Sequence, residues 1–550
     1  YYPLGDFCSY VVGYAKSYND QSVKKMVGEM GLELSYDKQL KGKNGYKVYQ
    51  TDANGYALVD GTLREKDPTN GNDLYLTIDS GLQRNLDYLM SNAYSESGAE
   101  VVTAGVMEIK TGKILAMSTY PSFNPNERNI STFNNYFLEG TIECGSVFKP
   151  FIYADSIEEG KYDHNAYYNS GSYNVYYGNK LVATIKDHNG GQGWGTITYD
   201  QGLYHSSNVA ICNLLDQGYV TKDVLTEKLN DLGFFQGDTM DGLTCSSSIN
   251  AYTRKNAGRL EYLTTGFGQG STVTPYQLLK AYSVFGNDGK TVQPHIVDKV
   301  VNPETNKVVY QATPKYSKQI FSTNTISQVK DLMLGVIEDE QGTGKIYRLD
   351  NDVRMIGKTG TGQVVENGGY STTLYMHSFV GIAPYDDPQV VMFLTFKSGD
   401  SYAQYMPNIV KQTMNEALQV VNRYNAKNTT AVDQSCTLDS YTNQSVNYVK
   451  SKLESKSLSV QIIGNGSSVI EQYPLAKSKV TSGDKVFIKT EGKDITLPNL
   501  IGWSKKEVQT YASLAGIQLT IDGTSGHVTA QSVGENTVVH SGDSLTVVIS

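Results

Sequence analysis

Cysteine is scarce in this sequence of 550 residues, and its five cysteines are widely and irregularly spaced. They are Cys8, Cys144, Cys212, Cys245 and Cys436, and no two of them form a Cys-x-x-Cys pair. A disulfide scaffold and a zinc ribbon both depend on short, regular cysteine spacings. The sequence therefore indicates neither of these classes.

Long apolar runs and an excess of basic residues are also missing. The run VVMFLTF, Val390 to Phe396, has the length of a strand, and no stretch approaches the roughly 18 apolar residues of a spanning helix. The net charge of −9 argues against nucleic acid as the main partner. Because single cores rarely exceed about 250 to 300 residues, this chain is expected to contain about two to four domains rather than to be a disordered binder.

Three regions are predicted from composition and periodicity. Residues 1–95 mix strand-like runs such as LYLTID, Leu74 to Asp79, with the glycine and asparagine turns KGKNGY and DANGY, which indicates a small, mostly β accessory module. Residues 96–425 alternate α and β patterns and form the predicted core domain. Residues 426–440 are polar and aperiodic and are predicted to be a linker.

A repeat follows the predicted linker. Residues 441–491 and 492–550 each open with an amphipathic helix pattern, VNYVKSKLESKSL and then KKEVQTYASLAGI. Each ends with a Ser-Gly-Asp sequence, at Ser482 and Ser541, that leads into a strand pattern. Two small α+β units in tandem are predicted.

The stretch CGSVFKPF places Ser146 and Lys149 three residues apart, ahead of an apolar run. On a helix these side chains lie on one face, near enough for an amine to take a hydroxyl proton. The pattern alone has little weight, because it recurs at Ser22/Lys25, Ser35/Lys38, Ser327/Lys330 and Ser482/Lys485, where a solvated helix face or a turn is the simpler interpretation.

Two further motifs stand downstream. In YHSSNVAI, Ser206, Ser207 and Asn208 head a predicted helix, and in MIGKTGTGQ, Lys358-Thr359-Gly360 precedes the strand pattern HSFVGIAP. Each recurs elsewhere, as Ser122-x-Asn124, Ser248-x-Asn250 and Lys110-Thr111-Gly112, the last of which is predicted to be a plain β-turn between two strands. The order and spacing of the three motifs are what point to a shared site.

A Ser-x-x-Lys, then Ser-x-Asn, then a late Lys-Thr-Gly resembles the active-site serine penicillin-recognising enzymes, and in particular the class B penicillin-binding proteins. The resemblance extends to YPLGDFCSYVVGYA near the start and to KTGKILAMSTYPSFNPN, DHNGGQGWGTIT and GFGQGSTVTPYQ between the motifs. The C-terminal repeats resemble PASTA domains. The implied fold is a multidomain α/β chain. It has a serine β-lactamase-like transpeptidase core of one sheet flanked by helices, an N-terminal β pedestal and two PASTA repeats.

The resemblance implies a role for each motif residue. Ser146 is the expected nucleophile and Lys149 its base, which must be neutral and whose pKa is expected to be lowered by burial and by Lys358. Ser206 is expected to relay a proton to the leaving amine, and Asn208 to hold Lys149 or the substrate amide. Thr359 is expected to contact the peptide carboxylate, with Gly360 and Thr361 beside it.

The implied reaction is acyl transfer in peptidoglycan cross-linking. Ser146 would attack the D-Ala-D-Ala bond of one stem peptide, and an amine of a neighbouring stem would take the acyl group, while a β-lactam would acylate Ser146 in place of the substrate. The backbone N–H groups of Ser146 and Thr361 are the expected oxyanion donors. Glycines at 145, 360 and 362 are expected to allow close backbone approach.

No cofactor and no metal is expected. Cys144 stands where the family usually has proline, and a small buried space-filler is favoured over a reactive thiol. Cys144, His188 and His205 are residue types that can bind a metal, but their spacing matches no standard zinc pattern. The acidic tract Ile337 to Gln341 is predicted to be a solvated helix end.

Other functions stay open beside transpeptidation. A D,D-carboxypeptidase or β-lactamase would need water to deacylate Ser146, and no deacylating glutamate is evident. A non-catalytic wall-binding scaffold would not need all six of the motif side chains, which are Ser146, Lys149, Ser206, Asn208, Lys358 and Thr359. The family resemblance also implies division as the setting, a SEDS-type glycosyltransferase and divisome proteins as partners, and the outer face of the membrane of a Gram-positive-type bacterium, with a single N-terminal anchor outside this sequence.

Overall fold

The computed structural model describes residues 1–20, 23–54, 56–350, 353–366, 368–399, 402, 404–429, 435–454, 456, 458–481, 484–523 and 527–549. Apart from the first three residues, the chain divides into two compact units, residues 4–424 and residues 425–550. In the described part of the chain, none of the helices combines the length and the apolar character needed to cross a membrane.

The N-terminal module consists of short helices and two β-hairpins. Its elements are α1 Ser9–Val12, β1 Tyr14–Asp20, β2 Val23–Met30, α2 Gly31–Ser35, α3 Asp37–Leu40, β3 Tyr46–Thr51 and β4 Ala57–Lys66. β1 pairs antiparallel with β2, and β3 with β4. The predicted DANGY turn lies between β3 and β4. It is stabilised by the carboxylate of Asp52, which accepts hydrogen bonds from the N–H groups of Asn54 and Tyr56, both at 2.9 Å.

The core domain alternates helices and strands, as predicted. Its elements are β5 Asp73–Leu76, α4 Ser80–Ser97, β6 Val101–Glu108, β7 Ile114–Tyr120, α5 Tyr136–Glu139, α6 Lys149–Glu158, β8 Tyr167–Asn169, β9 Ser172–Tyr177, β10 Lys180–Lys186, β11 Thr196–Thr198, α7 Tyr199–Tyr204, α8 Asn208–Asp216, α9 Lys222–Asp231, β12 Asp238–Met240, β13 Leu243–Cys245, α10 Arg259–Gly266, α11 Pro275–Tyr282, β14 Val297–Asn302, β15 Lys307–Gln311, α12 Thr323–Glu338, β16 Ile356–Glu366, β17 Gly369–Ala383, β18 Val390–Ser398 and α13 Met406–Thr429.

One antiparallel sheet, in the order β16-β17-β18-β6-β7, carries the core. Alternate residues of β18 enter two different clusters, Met392 and Leu394 packing with α4 and α13, and Val391 and Phe393 with α6, α8, α11 and α12. This period of two is the expected signature of a strand buried on both faces. The sheet is therefore covered by helices on both sides, and β16 is left at its edge.

The predicted boundary at residue 95 lies inside α4, a helix that packs with the core sheet. β5 pairs antiparallel with β14, and Leu82, Leu86 and Met90 of α4 are buried in the same cluster as β6 and α13. The strand predicted over LYLTID is β5, which ends at Leu76. β14 forms a separate three-stranded sheet with β15 and β5, whereas β6 belongs to the core sheet. Because both lie in the core domain, residues from about 73 onward pack with the core domain rather than with the N-terminal module.

The C-terminal unit contains the two predicted repeats. Its elements are β19 Ser435–Thr437, α14 Val446–Glu454, β20 Ser459–Ile463, β21 Val469–Tyr473, β22 Lys479–Thr481, β23 Lys485–Thr490, β24 Ile495–Thr496, α15 Lys505–Ala515, β25 Gln518–Asp522, β26 Val528–Gln531, β27 Val538–Val539 and β28 Ser544–Ile549. Each repeat has a three-stranded sheet of the same topology, β20-β23-β21 and β25-β28-β26, with one parallel and one antiparallel pair.

Part of the predicted linker 426–440 is regular structure. α13 continues to Thr429, and β19 pairs with β22, so the first repeat begins ahead of residue 441. Residues 430–434 lie outside the described residues, as do Ser482 and Gly483 of the first Ser-Gly-Asp sequence. The aperiodic composition missed β19 because a three-residue strand is too short to show alternation.

Candidate active site

The first motif forms a tight turn that leads into a helix. Ser146 lies in the 3₁₀ turn Gly145–Phe148, and α6 begins at Lys149, so the predicted helix start is confirmed. Pro150 occupies the first turn of α6, where its missing N–H costs no hydrogen bond. Ser146 is half-buried, whereas Lys149 is completely buried.

The turn Gly145–Phe148 packs directly on the edge strand β16. A Cβ atom at Gly145 would lie 2.3 Å from Thr361 O, one at Gly360 2.7 Å from Cys144 O, and one at Gly362 1.7 Å from Glu143 O. Side chains at these three positions would collide with backbone, and the φ of 61° at Gly145 also favours glycine. The predicted close approach of the glycines is confirmed, and it brings the backbone of Ser146 beside that of Thr361.

The second motif is fixed by a buried acid that the sequence interpretation missed. Asp187 Oδ1 accepts three hydrogen bonds. They come from the hydroxyl of Ser207 at 2.9 Å and from the backbone N–H groups of Asn208 at 2.7 Å and Val209 at 3.1 Å. Asp187 thus holds the N-terminus of α8, where a negative charge is favoured by the helix dipole. Its only sequence signal was its place in the block DHNGGQGWGTIT. Ser206, just ahead of α8, has a φ of 58°, which is uncommon for serine.

The three motifs meet at the hydroxyl of Ser206. Lys358 Nζ lies 2.8 Å and Lys149 Nζ 3.4 Å from Ser206 Oγ. Lys149 also donates to Ser206 O at 2.5 Å, and Lys358 to Thr359 O at 3.0 Å. Two amines and one hydroxyl therefore form a connected path for a proton inside the protein.

Burial is the leading cause of the pKa shifts of both lysines. It lowers the pKa of Lys149 from 10.5 to about 7, although the carboxylate of Asp187 favours the charged form. The pKa of Lys358 lies well below its usual range, first because the amine is buried and second because of the charge of Lys149. A neutral Lys149 is thus supported by burial, whereas the charge effect between the two lysines lowers the pKa of Lys358 instead.

Asn208 donates its amide N–H to Lys186 O at 2.9 Å. The hydrogen bonds that Lys149 makes go to the backbone oxygen and the hydroxyl of Ser206. Both roles expected of Asn208, holding Lys149 or holding the substrate amide, stay predictions.

Thr359 and Thr361 lie on β16, opposite Phe379 and His377 of β17. Thr359 Oγ1 donates to Thr343 Oγ1 at 2.9 Å, and Thr343 is a residue that the sequence interpretation did not single out. No sequence signal could have found Thr343, because it lies in an irregular segment and only the tertiary fold brings it to Thr359. The predicted substrate-facing strand thus has a hydroxyl partner from another element.

Cys144, His188 and His205 surround this site without forming a metal cluster. Cys144 is 1% exposed and burial raises the pKa of its thiol, which supports the interpretation as a buried space-filler over a reactive thiol. The ring of His205 stacks on Trp194 at 4.6 Å, and the ring of His188 lies 5.4 Å from Trp194. Among the residues that the structure describes, no three His, Cys, Asp or Glu side chains are grouped to hold a metal ion.

Family descriptions match nearly the whole chain. Residues 102–419 match the penicillin binding protein transpeptidase domain, and residues 1–76 match the penicillin-binding protein dimerisation domain. Residues 437–492 and 495–550 each match the PASTA domain. The match to the transpeptidase domain alone spans more than half of the chain.

Curated relatives and solved structures agree with these matches. The chain is 30% identical to Stage V sporulation protein D of Bacillus subtilis, over 90% of this chain and 76% of that protein. It is 28% identical to a peptidoglycan D,D-transpeptidase FtsI homolog of Mesostigma viride, over 71% of this chain and 67% of that protein.

Two solved structures share the fold. Penicillin binding protein 2X of Streptococcus thermophilus aligns with a TM-score of 0.68 and 24% identity, over 100% of this chain and 82% of that one. Penicillin binding protein 3 of Mycobacterium tuberculosis, solved with aztreonam, aligns with a TM-score of 0.63 and 25% identity, over 76% of this chain and 90% of that one. The chain belongs to the family of penicillin-binding protein transpeptidases.

Proposed function

We propose that this protein is a peptidoglycan D,D-transpeptidase that works through a Ser146 acyl-enzyme. The observation that carries the proposal is the buried cluster of Lys149, Lys358 and Ser206, one helical turn from Ser146. Such a cluster is costly to bury without a function, because each amine loses its hydration.

In the first step, Lys149 in its neutral form takes the proton of Ser146 as Oγ attacks the carbonyl carbon of D-Ala-D-Ala. A C–O bond forms, the peptide C–N bond breaks, and the leaving amine of D-alanine receives a proton through Ser206 Oγ. Ser206 suits this relay because its hydroxyl lies within hydrogen-bond distance of both lysines. A neutral Lys149 is supported by its pKa of about 7.

The negative charge on the attacked oxygen needs fixed donors. We assign this role to the backbone N–H groups of Ser146 and Thr361, and the close approach of Gly145 to the backbone of Thr361 supports the assignment. Backbone donors held by close packing need no reorganisation during the reaction. In the second step, an amine of a neighbouring stem peptide attacks the acyl carbon. A C–N bond forms, the ester C–O bond to Ser146 breaks, and Lys149 carries the proton lost by the amine to Ser146 Oγ.

The experiment that tests the proposal is intact-protein mass spectrometry after incubation with a penicillin, comparing the wild type with Ser146→Ala. A stable one-to-one adduct on the wild type alone is the expected result. No adduct with the drug hydrolysed would replace the proposal with a β-lactamase, in which water deacylates Ser146 quickly. No adduct with the drug intact would replace it with a non-catalytic wall-binding protein.

We propose a domain division whose boundaries follow the packing of β5, α4, α13 and β19. Residues 1 to about 72 form the pedestal module, about 73 to 429 the transpeptidase domain, and about 435–550 the two PASTA repeats. We assign the repeats to positioning the protein on the wall rather than to holding substrate. Removal of residues 435–550 should leave acylation of Ser146 intact. If that truncation lost all affinity for isolated wall, the PASTA repeats would be needed for wall binding, and catalysis by the transpeptidase domain would not be a complete account of the protein.

The proposed setting is the extracytoplasmic face of the membrane of a Gram-positive-type bacterium during division, with a SEDS-type glycosyltransferase and divisome proteins as partners. The paired PASTA repeats favour division. Similarity to Stage V sporulation protein D favours sporulation as the second candidate setting. A depletion strain decides between the two, because loss of septa is the result expected for division and loss of spores alone for sporulation.

A further inference from the structure

The segment between α12 and β16 has a shape that is fixed by the end of α12. Gly342 N–H donates to Asp339 O and Gly344 N–H to Val336 O, both at 3.0 Å. A Cβ atom at Gly342 would lie 2.4 Å from Val336 O, and one at Gly344 2.6 Å from Ile337 Cδ1. Because neither glycine has room for a side chain, Thr343 between them is held in one place.

Thr343 connects the second motif with the third. Its backbone N–H donates to Tyr204 O at 3.1 Å, two residues ahead of Ser206. Its Oγ1 accepts the hydroxyl of Thr359 at 2.9 Å. The side chain is half-buried and β-branched, so its χ1 angle is restricted and the hydroxyl has a defined direction.

A hydroxyl has one proton and two acceptor lone pairs. If the hydroxyl of Thr359 donates to the carboxylate of a stem peptide, it no longer donates to Thr343. The hydroxyl of Thr343 can then rotate its own proton toward Thr359 Oγ1 over the same 2.9 Å. A chain of two hydroxyls that ends on a carboxylate is polarised in one direction, which strengthens each hydrogen bond in it.

We propose that Thr343 is a positioning residue for the substrate carboxylate, which it stabilises through Thr359. The proposal rests on the proposed function, since it assigns Thr359 to the carboxylate. It makes Thr343 a determinant of specificity, because only ligands with a free carboxylate engage the chain of two hydroxyls.

The test compares Thr343→Val and Thr343→Ser with the wild type in the second-order rate of Ser146 acylation. Two ligands are used, a penicillin and the methyl ester of the same penicillin. Thr343→Val is expected to slow acylation by the penicillin about tenfold, the factor that corresponds to about 1.4 kcal/mol, and to leave acylation by the ester unchanged. Thr343→Ser keeps the hydroxyl and should remain within about twofold of the wild type.

Thr226→Val serves as the matched control, because it removes a threonine hydroxyl that donates to Lys222 O at 2.7 Å on α9, outside the site. Its acylation rates should equal those of the wild type with both ligands. Equal losses for penicillin and ester in Thr343→Val would mean a general structural role, and no loss with either would mean no role. Both results overturn the proposal, whereas failure of the wild type to be acylated overturns the proposed function instead.

Discussion

The tripeptide Lys-Thr-Gly occurs twice in this chain and does two different things. Lys110-Thr-Gly is the turn between β6 and β7, as predicted, and the Lys110 side chain is 42% exposed, 3.9 Å from Asp387. Lys358-Thr-Gly lies on the edge strand β16, and Lys358 is completely buried against Ser206. The protonation of a lysine amine therefore depends on its burial and its partners in space rather than on its neighbours in sequence.

The largest expected difference comes from removing each lysine of this pair. Lys358→Ala should slow acylation of Ser146 by a penicillin about 10² to 10⁴-fold, the usual contribution of a group that takes part in proton transfer. Lys110→Ala should leave the rate within about twofold, because an exposed ion pair contributes little. Stopped-flow acylation of the two variants measures both effects. A comparable loss in Lys110→Ala would contradict the contrast between turn and site.

The pH dependence of acylation should report the neutral fraction of Lys149. Because the pKa of Lys149 is about 7, the acylation rate should fall about tenfold for each pH unit below 7 and level off above it. Lys110→Ala should show the same profile as the wild type. A profile that is flat between pH 5 and 8 would exclude Lys149 as the base.

The same shift predicts a stability effect of defined sign. The folded-state pKa of Lys149 is about 7 against a usual value of 10.5, so between these two pH values the unfolded chain binds more protons. The free energy of unfolding that this group contributes should therefore rise as pH increases from about 7 to about 10.5. Chemical denaturation of the wild type and of Lys149→Met across this window measures the contribution.

Alanine at the two Lys-Thr-Gly glycines should separate stability from activity. A Cβ atom at Gly112 would lie 2.4 Å from Gln293 O, and one at Gly360 2.7 Å from Cys144 O. Both substitutions should lower stability by about 1 to 3 kcal/mol, measured as Tm. Only Gly360→Ala should also slow acylation of the folded protein, because the new Cβ atom would displace Cys144 and with it the turn Gly145–Phe148 that carries Ser146. Equal acylation rates would mean that the turn tolerates the displacement.

Asp187→Asn should give the smallest effect in this series, a loss of about 1 kcal/mol in stability and a severalfold slower acylation. The substitution removes the charge that favours the N-terminus of α8 but keeps an oxygen that accepts from Asn208 and Val209. Asp387→Asn, beside Lys110, is the matched control and should be neutral. Unchanged acylation in Asp187→Asn would mean that Ser206 is held in place without that charge.

The local elements were largely predictable from sequence. The two strands around Lys110-Thr-Gly, the helix over Ile326 to Ile337 and the helices of both repeats have the periodicities of two and 3.6 that such elements require. The sequence could not show which domain α4 packs on, because the helix is amphipathic in either case. Periodicity shows that a helix has an apolar face, but it carries no information on which surface covers that face.

The candidate site was predictable in its motif residues but not in their supports. Ser146, Ser206 and Lys358 stand in short motifs whose order is visible in the chain. Asp187 and Thr343 belong to none of the three motifs. Each supports the site through hydrogen bonds to residues distant in sequence, which a local pattern does not show. The hydrogen bond from Asn208 to Lys186 O was not predictable, because Lys186 belongs to a strand that no local pattern connects with α8.

The sequence by itself determined the elements, the repeat and the order of the three motifs, because these follow from side-chain periodicity, turn residues and spacing along the chain. Only the tertiary fold determines which of the repeated motifs are buried together, which lysines lose their hydration, and that the turn Gly145–Phe148 approaches β16 closely. The physical reason is that desolvation and close packing depend on contacts between residues far apart in the chain, and the pKa of Lys149 is set by those contacts.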